Sequence, residues 1–412
     1  MLCQFIFKNF YSYKNETDFD LQSESSINAE NSVFGDSLLH GADNKRFLPV
    51  SVIYGPNAGG KSNLLKALDF VIATVVKPIS ILKKNGFKYN FESTNIDFVP
   101  FIFNENTKKE PAEFTLFFRP NEEFEYKYSI SLTNEKILSE YLYRRKTKPG
   151  SKTVTLFERI ENGIALGSSI RKTNINTNVN DRMPYISFLR INYNIESINT
   201  AVDWFESCVV RNYANYNVEN HFMIPLNSHL MNKMITLMND VGINISGFIF
   251  KKVPNDNNLI DIFTEHTIYD KKYQLDLKYE SDGTQKLFNI IPFVITALTE
   301  GSLMVVDELD AKLHPKLLKF IIMLFKNPEI NKNGAQLIFT SHDISTMKSS
   351  VFRTDEIWFA CKLEDESSDL YSLYEIRDEN GNHIQPSAAF DKQYLEGRYG
   401  ADPYFSNMMN WE

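Results

Sequence analysis

Val50-Ser51-Val52-Ile53-Tyr54-Gly55-Pro56-Asn57-Ala58-Gly59-Gly60-Lys61-Ser62 runs from a strand-like apolar segment into a glycine-rich turn. Leu64, Leu65, Ala67, Leu68, Val71 and Ile72 then recur at helical spacing, which predicts a helix from Ser62 to about Val76. Residues 55–62 satisfy the pattern G-x-x-x-x-G-K-[ST] in full. Each part of that pattern has a physical task. Gly55, Gly59 and Gly60 let the backbone turn tightly, so that several N–H groups converge on one anion. The helix start near Lys61 aims its positive dipole end at the same point. Lys61 is placed to reach the outer phosphates of a nucleoside triphosphate, and the Ser62 hydroxyl to ligate Mg²⁺. Asn57 and Asn63 flank the loop and join Gly59, Gly60, Lys61 and Ser62 as candidate nucleotide-binding residues. A glycine-rich turn that happened to contain Lys-Ser would need no strand before it and no helix after it.

Farther along, Leu303-Met304-Val305-Val306-Asp307-Glu308 is an apolar run that ends in two acids. A buried strand of this kind delivers its carboxylates to the mouth of an open α/β sheet, where ligands bind. Asp307 is expected to hold Mg²⁺, and Glu308 to orient and deprotonate an attacking water. Alone, the pair could equally be a solvated acidic turn. A phosphate loop in the same chain argues against that.

Three further segments carry a family resemblance. Ser281-Asp282-Gly283-Thr284-Gln285, upstream of Asp307 and followed by a helical run, resembles the LSGGQ-type signature of ABC, SMC and RecF-like ATPases. Leu309-Asp310-Ala311-Lys312-Leu313-His314-Pro315 is similar to the D-loop of that class, and Thr340-Ser341-His342-Asp343 to its H-switch. The resemblance covers roughly residues 1–100 and 275–362. It implies an α/β fold: an ABC/SMC-like P-loop NTPase head with a mainly parallel core sheet, an antiparallel β lobe and a helical insert. It implies that the chain binds ATP with Mg²⁺ and hydrolyses it, with Glu308, His342 and Lys61 as catalytic residues and Ser62 and Asp307 as metal ligands. A serine, a glycine and a helix N-terminus also make a second phosphate nest. In the resembling class, that nest faces the γ-phosphate held by another copy. Ser281, Gly283 and Gln285 therefore imply a homodimer closed on ATP, with higher oligomers left open. His342 would reach the γ-phosphate from its own chain. One family feature is missing: residues 97–103 offer no glutamine for a Q-loop.

Around these motifs the chain divides into four parts. Residues 1–95 form the first half of the head. Residues 96–170 form an antiparallel β lobe, with a hairpin across Pro120-Asn121 and another turn at Asn162-Gly163. Residues 171–270 form a mainly helical insert, serving as a lid or partner-binding region: residues 184–242 read as helical, with Ser228 capping a helix ended by Gly242, and residues 245–280 return to strands. Residues 271–412 form the second half, alternating helix and strand three times from 283 onward.

The chain has 412 residues, of which 43% are hydrophobic and 23% charged, and its net charge is −8. This is a globular composition and not that of a polycation that coats nucleic acid. The three cysteines, Cys3, Cys208 and Cys361, have no metal-ligand spacing and form no disulfide framework. No membrane span or signal segment is evident, so the cytoplasm is the expected location.

No sustained heptad separates the phosphate loop from the signature, unlike the long coiled coils of SMC proteins. Asn9-Phe10-Tyr11-Ser12-Tyr13 resembles the N-F-x-S-[FY] opening of this broad group. Asp355–Phe359, Leu370–Leu373 and Tyr394–Gly400 resemble the C-terminal pattern of the AAA_15-type abortive-infection ATPases, the RloA/AbiLi-like group. Arg398 within that tail reads either as a buried structural residue or as a catalytic one. That resemblance implies a sensor or switch in antiphage defence, acting through a separate effector such as a RloB-like nuclease. The 70 residues after His342 are short for a fused nuclease, and they show no D-x-D pattern. The alternative is a RecF-like repair ATPase that clamps duplex DNA, which leaves nucleic acid open as a partner.

Overall fold

The computed structural model describes residues 1–24, 36–82, 98–170, 174–212, 228–253, 256–385 and 387–401. Asp97, the first residue of the 97–103 segment that offers no Q-loop glutamine, lies outside the described residues.

The chain opens with β1 (Leu2–Lys8) and β2 (Thr17–Asp20), a small pair β3 (Leu39–His40) and β4 (Arg46–Phe47), and then β5 (Val50–Tyr54). Helix α1 (Lys61–Leu82) follows the phosphate loop. Strands β6 (Ala112–Phe118), β7 (Phe124–Leu132), β8 (Ile137–Lys146), β9 (Val154–Ile160) and β10 (Gly163–Leu166) come next. Each pairs antiparallel with its predecessor, and β6 pairs with β1. The result is a seven-stranded sheet in the order β10-β9-β8-β7-β6-β1-β2. Its inward residues, such as Phe114, Leu116, Tyr126, Tyr128 and Ile130, alternate with half-buried ones, as a sheet with one wet face requires.

Helices α2 (Tyr185–Asn192) and α3 (Glu196–Ser207) pack on α1, after which β11 (Val209–Asn212) enters the core sheet. Helix α4 (Ser228–Asp240) and strands β12 (Gly247–Val253), β13 (Asp256–Ile268) and β14 (Lys271–Asp276) complete the middle of the chain. Strands β12, β13 and β14 fall in residues 245–280, which were expected to be strands, whereas β11 lies in a stretch expected to be helical. In β11 only Val209 and Val210 are apolar, too few to reveal a strand; parallel pairing with the next core strand defines it.

The last part holds α5 (Asp282–Glu300), β15 (Leu303–Asp307), α6 (Pro315–Lys326), β16 (Gln336–Thr340), β17 (Ile357–Lys362), β18 (Ser368–Ser372) and α7 (Phe390–Leu395). Between β16 and β17, where a third helix was expected, the chain makes only two short 3₁₀ turns. The core sheet runs β11-β15-β16-β5-β17-β18, with every pair parallel except β17–β18.

Alternation along the core strands builds two apolar layers. Ile53, Leu303, Val305 and Ile338 face α1 and the seven-stranded sheet beyond it. Val50, Val52, Met304, Val306, Leu337 and Phe339 face α5 and α6. Helix α1 is enclosed between two sheets, which explains why Leu64, Leu68, Val71, Ile72 and Val75 are all buried. The three-stranded sheet β12-β13-β14 rests on α5 through Phe248 and Phe288, whose ring centres are 5.0 Å apart.

Two sequence motifs prove structural. Asn9 stands at φ 55° and bridges the loop after α1: its Nδ2 donates to the carbonyls of Thr107 (2.8 Å) and Glu110 (3.0 Å), and its Oδ1 accepts from Phe101 N (2.9 Å). The C-terminal segment is held by aromatics. Tyr371 donates to Tyr399 O (2.6 Å), and Phe359 stacks on Tyr394 at 5.5 Å. Arg398, for which burial was one expectation, is instead 62% exposed and paired with Glu396 at 2.7 Å.

Candidate functional site

Strands β5 and β15 flank β16 in the core sheet, so their C-terminal ends open side by side. From β5 comes the phosphate loop, from β15 come Asp307 and Glu308, and β16 ends in Thr340.

The loop is shaped by close approach. Gly55 (φ 144°) and Gly60 (φ 108°) adopt conformations that L side chains rarely reach. A side chain on Gly55 would also strike the Ala360 carbonyl, and one on Gly60 would strike Ser368. Ser12 closes the outer side: Asn63 Nδ2 and Ser368 Oγ both donate to its Oγ, at 2.8 and 2.7 Å. Asn57 stands exposed at the tip of the loop. Lys61 is buried, and its ammonium donates to the carbonyls of Gly55 (2.8 Å) and Pro56 (3.0 Å). Burial lowers its pKa from the ordinary lysine value, while Asp307, Glu308 and Asp310 pull the other way.

A side-chain hydrogen bond joins the two halves of the site. Ser62 Oγ donates to Asp307 Oδ1 at 3.1 Å across a sequence separation of 245 residues. Thr340 Oγ1 donates to the same Asp307 oxygen (2.7 Å) and accepts from Glu308 N (2.7 Å). One hydroxyl on β16 thus fixes both acids. Glu308 needs that support, because it stands at φ 51°, a conformation costing a non-glycine residue roughly 1–2 kcal/mol. Its carbonyl is held as well, by Lys286 Nζ (3.0 Å) and Ala311 N (3.1 Å).

His342 is exposed, and its N–H donates to Asp310 Oδ2 at 3.0 Å. The other Asp310 oxygen is buried without a hydrogen-bond partner. Ser281 caps α5 by accepting from Thr284 N (3.2 Å), and Gln285 Nε2 donates to Glu280 O (2.8 Å). Lys286 ties this helix start to the acids, reaching Ala311 O (2.5 Å) besides Glu308 O, and Asp282 pairs with Lys312 at 3.5 Å. Among the described residues, neither Ser281 nor Gly283 is hydrogen-bonded to residues 55–62 of its own chain.

The structure therefore brings together Lys61, Ser62, Asp307 and Glu308, while the start of α5, which carries Ser281, Gly283 and Gln285, is tied to the Glu308–Lys312 segment by Lys286 and by the Asp282–Lys312 pair. Sequence reasoning missed Lys286 and the bridging role of Thr340. Lys286 left a signal: a lysine one helical turn from Ile290 on the buried stripe of α5. Burial lowers its pKa to about 8, against the pull of Asp310 and Glu308. Thr340 left none beyond its place at the end of an apolar strand.

A hydroxyl and a carboxylate side by side, both hard oxygen donors, suit Mg²⁺. No cluster of three or more His, Cys, Asp or Glu able to hold a metal occurs among the described residues, nor does any helix long and apolar enough to cross a membrane.

A glycine-rich loop between strand and helix, with an acid pair ending a parallel strand of the same sheet, defines a P-loop NTPase head. The chain belongs to the AAA_21 family, described as "AAA domain, putative AbiEii toxin, Type IV TA system", which it matches over residues 50–348. That span includes residues 55–63, 281–285, 307–310 and 340–343. Among solved structures, an SMC head bound to the C-winged helix domain of ScpA is similar at a TM-score of 0.45 and 15% identity, covering 90% of this chain and 97% of that one. The SMC head domain from Thermotoga maritima follows at 0.40 and 15%, covering 90% and 98%. Both scores are low, and the fold assignment rests on strand order and the site. No curated protein matches the chain.

Proposed function

We propose that the chain binds and hydrolyses ATP, and that two copies pairing across ATP act as a switch controlling a separate effector protein in antiphage defence. The observation that carries the first part is the Ser62–Asp307 contact, which joins the phosphate loop to the acid-bearing end of β15. In this reading the N–H groups of Gly59, Gly60 and Lys61 cradle the phosphates, and the Lys61 ammonium turns from its two loop carbonyls to the β- and γ-phosphates. Asn57 and Asn63 border the nucleotide. Ser62 and Asp307 hold Mg²⁺, which supplies charge neutralisation on the outer phosphates. Glu308, clamped at both ends of its peptide, accepts a proton from the attacking water, and His342 lies one Asp310 contact away to meet the γ-phosphate. Ser281, Gly283 and Gln285 supply the second nest to a partner copy. The defence role is supported by the family description and by the likeness of the C-terminal segment to the RloA/AbiLi-like group.

Single-turnover hydrolysis by Glu308→Gln tests the chemistry. ATP should remain bound while the rate falls about 10²–10⁴-fold, and a loss below about tenfold removes Glu308 as the base. The purified chain should also leave DNA and RNA intact with Mg²⁺ or Mn²⁺. Cleavage that survives both Glu308→Gln and Lys61→Ala would reject the separate effector.

A further inference from the structure

Glu280, the residue before Ser281, is gripped at its backbone and at its side chain. Its carbonyl accepts from Gln285 Nε2 at 2.8 Å. Its Oε1 accepts from Thr264 Oγ1 at 2.5 Å and faces His266 Nε2 at 2.8 Å. The other ring nitrogen, His266 Nδ1, faces the Asn244 carbonyl at 2.9 Å. Each nitrogen thus meets an oxygen that can only accept, a carboxylate on one side and a backbone carbonyl on the other. A neutral imidazole has one N–H and satisfies one of them, whereas the imidazolium has two and satisfies both. The side chains of His266 and Glu280 are only 26% and 10% exposed, and Thr264 is wholly buried, so water screens this pair less than an open surface pair. Lys278, two residues before Glu280, is paired with Asp276, and Lys272 on β14 with Glu265. The supports of the ring are themselves fixed. His266 and Thr264 lie on β13, the middle strand of its sheet. Asn239 of α4 shapes the turn that carries Asn244, accepting from Ile245 N (3.0 Å) and donating to Ile245 O (3.2 Å).

We infer that His266 is a positioning residue for the second phosphate nest: its two N–H groups fix Glu280, and through it the turn that presents Ser281 and Gly283 to the nucleotide of a second copy. This rests on the pairing across ATP proposed above. Ser281 is exposed at the start of α5, and its hydroxyl is engaged within its own turn by Thr284. Backbone N–H groups bind an anion best when they converge before it arrives, because ordering them during binding costs affinity. Gln285 fastens the turn ahead of the nest to α5, through the carbonyls of Lys278 and Glu280. His266 fastens the same turn to the three-stranded sheet and to the loop after α4. The nest is thereby set in place by the middle of the chain as well as by its own helix, and removing the two ring donors loosens it without touching the phosphate loop.

Light scattering with ATP and Mg²⁺ tests it, in a Glu308→Gln background that should pair without turning over. His266→Phe keeps a flat ring and removes both donors, whereas His266→Arg supplies N–H donors for both acceptors. His266→Phe should weaken the ATP-dependent dimer about tenfold, the effect of ~1.4 kcal/mol, with calorimetric ATP binding unchanged. His266→Arg should recover most of that loss, which a role confined to ring packing would not allow. Glu280→Ala removes the same contact from its other side and should weaken pairing by a similar factor. Adding His266→Phe to Glu280→Ala should then cost little more, because both substitutions delete one interaction. Normal pairing by His266→Phe, no recovery in His266→Arg, or losses that multiply in the double variant would each overturn the positioning role while head pairing stands. If Glu308→Gln alone forms no ATP-dependent dimer, head pairing fails and the positioning role fails with it.

Discussion

Replacing Thr340 by Val would separate the shape of that side chain from its hydroxyl. The substitution keeps the branched outline in a fully buried position at the end of β16, so packing changes little. It removes a donor to Asp307 Oδ1 and the acceptor of Glu308 N, both at 2.7 Å. Leaving a buried N–H without an acceptor costs about 1–3 kcal/mol, and a lost bond to a charged group costs about 1.5–3 kcal/mol. Burying the new methyl returns about 0.8 kcal/mol. The net expectation is a stability loss of about 2–5 kcal/mol. Hydrolysis should suffer more than stability. The lost bond is similar in size to the strain of Glu308 at φ 51°, so its peptide is free to relax, and a displacement of about 1 Å costs on the order of 10²-fold in rate. Thr340→Ser keeps the hydroxyl and should recover most of both. Urea denaturation and single-turnover hydrolysis, run on all three proteins, decide the matter. If Thr340→Val stays within about 0.5 kcal/mol and about twofold of wild type, the hydroxyl bridge does not position the acids.

Glycine substitutions should divide by site. Gly60→Ala, at φ 108° and against Ser368, should cost about 1–3 kcal/mol and abolish calorimetric ATP binding. Gly283→Ala meets nothing closer than 3.7 Å and should leave stability within about 0.5 kcal/mol while weakening ATP-dependent pairing in light scattering. Lys286 gives a pH signature. Its pKa is about 8 in the folded chain against an ordinary 10.5, so between those values the folded state has shed a proton that the unfolded state keeps, and stability rises with pH. The stability of wild type minus that of Lys286→Met should therefore climb by about 1.4 kcal/mol per pH unit above pH 8, and a flat difference in denaturation series contradicts this. Glu140 is wholly buried and accepts from Tyr185 N, Ile186 N and the Tyr128 hydroxyl at 2.6, 3.0 and 3.1 Å. Glu140→Ala should cost about 3–5 kcal/mol in denaturant without changing the ATP affinity of the folded fraction.

Local chemistry made much of this protein legible from its residues. A phosphate loop must be contiguous, because converging N–H groups come from consecutive peptides, and so residues 55–62 announced themselves. The acid pair 307–308 was legible because a buried strand has to be apolar up to the point where it reaches solvent. Tertiary structure decided what depends on pairing between distant segments. Strand β11 exists because β15 offers it an edge, a fact no pair of valines can announce. The grip of Thr340 on both acids and that of Lys286 on the Glu308 carbonyl follow from which strands and helix become neighbours. For Arg398 the sequence left burial and catalysis equally open, and tertiary structure decided against burial: the tail is anchored by tyrosine rings, and the guanidinium is left at the surface. Hydrophobic period and turn chemistry act between residues close in sequence, whereas a hydrogen bond spanning the core is set by the sum of all the packing that brings its two ends together.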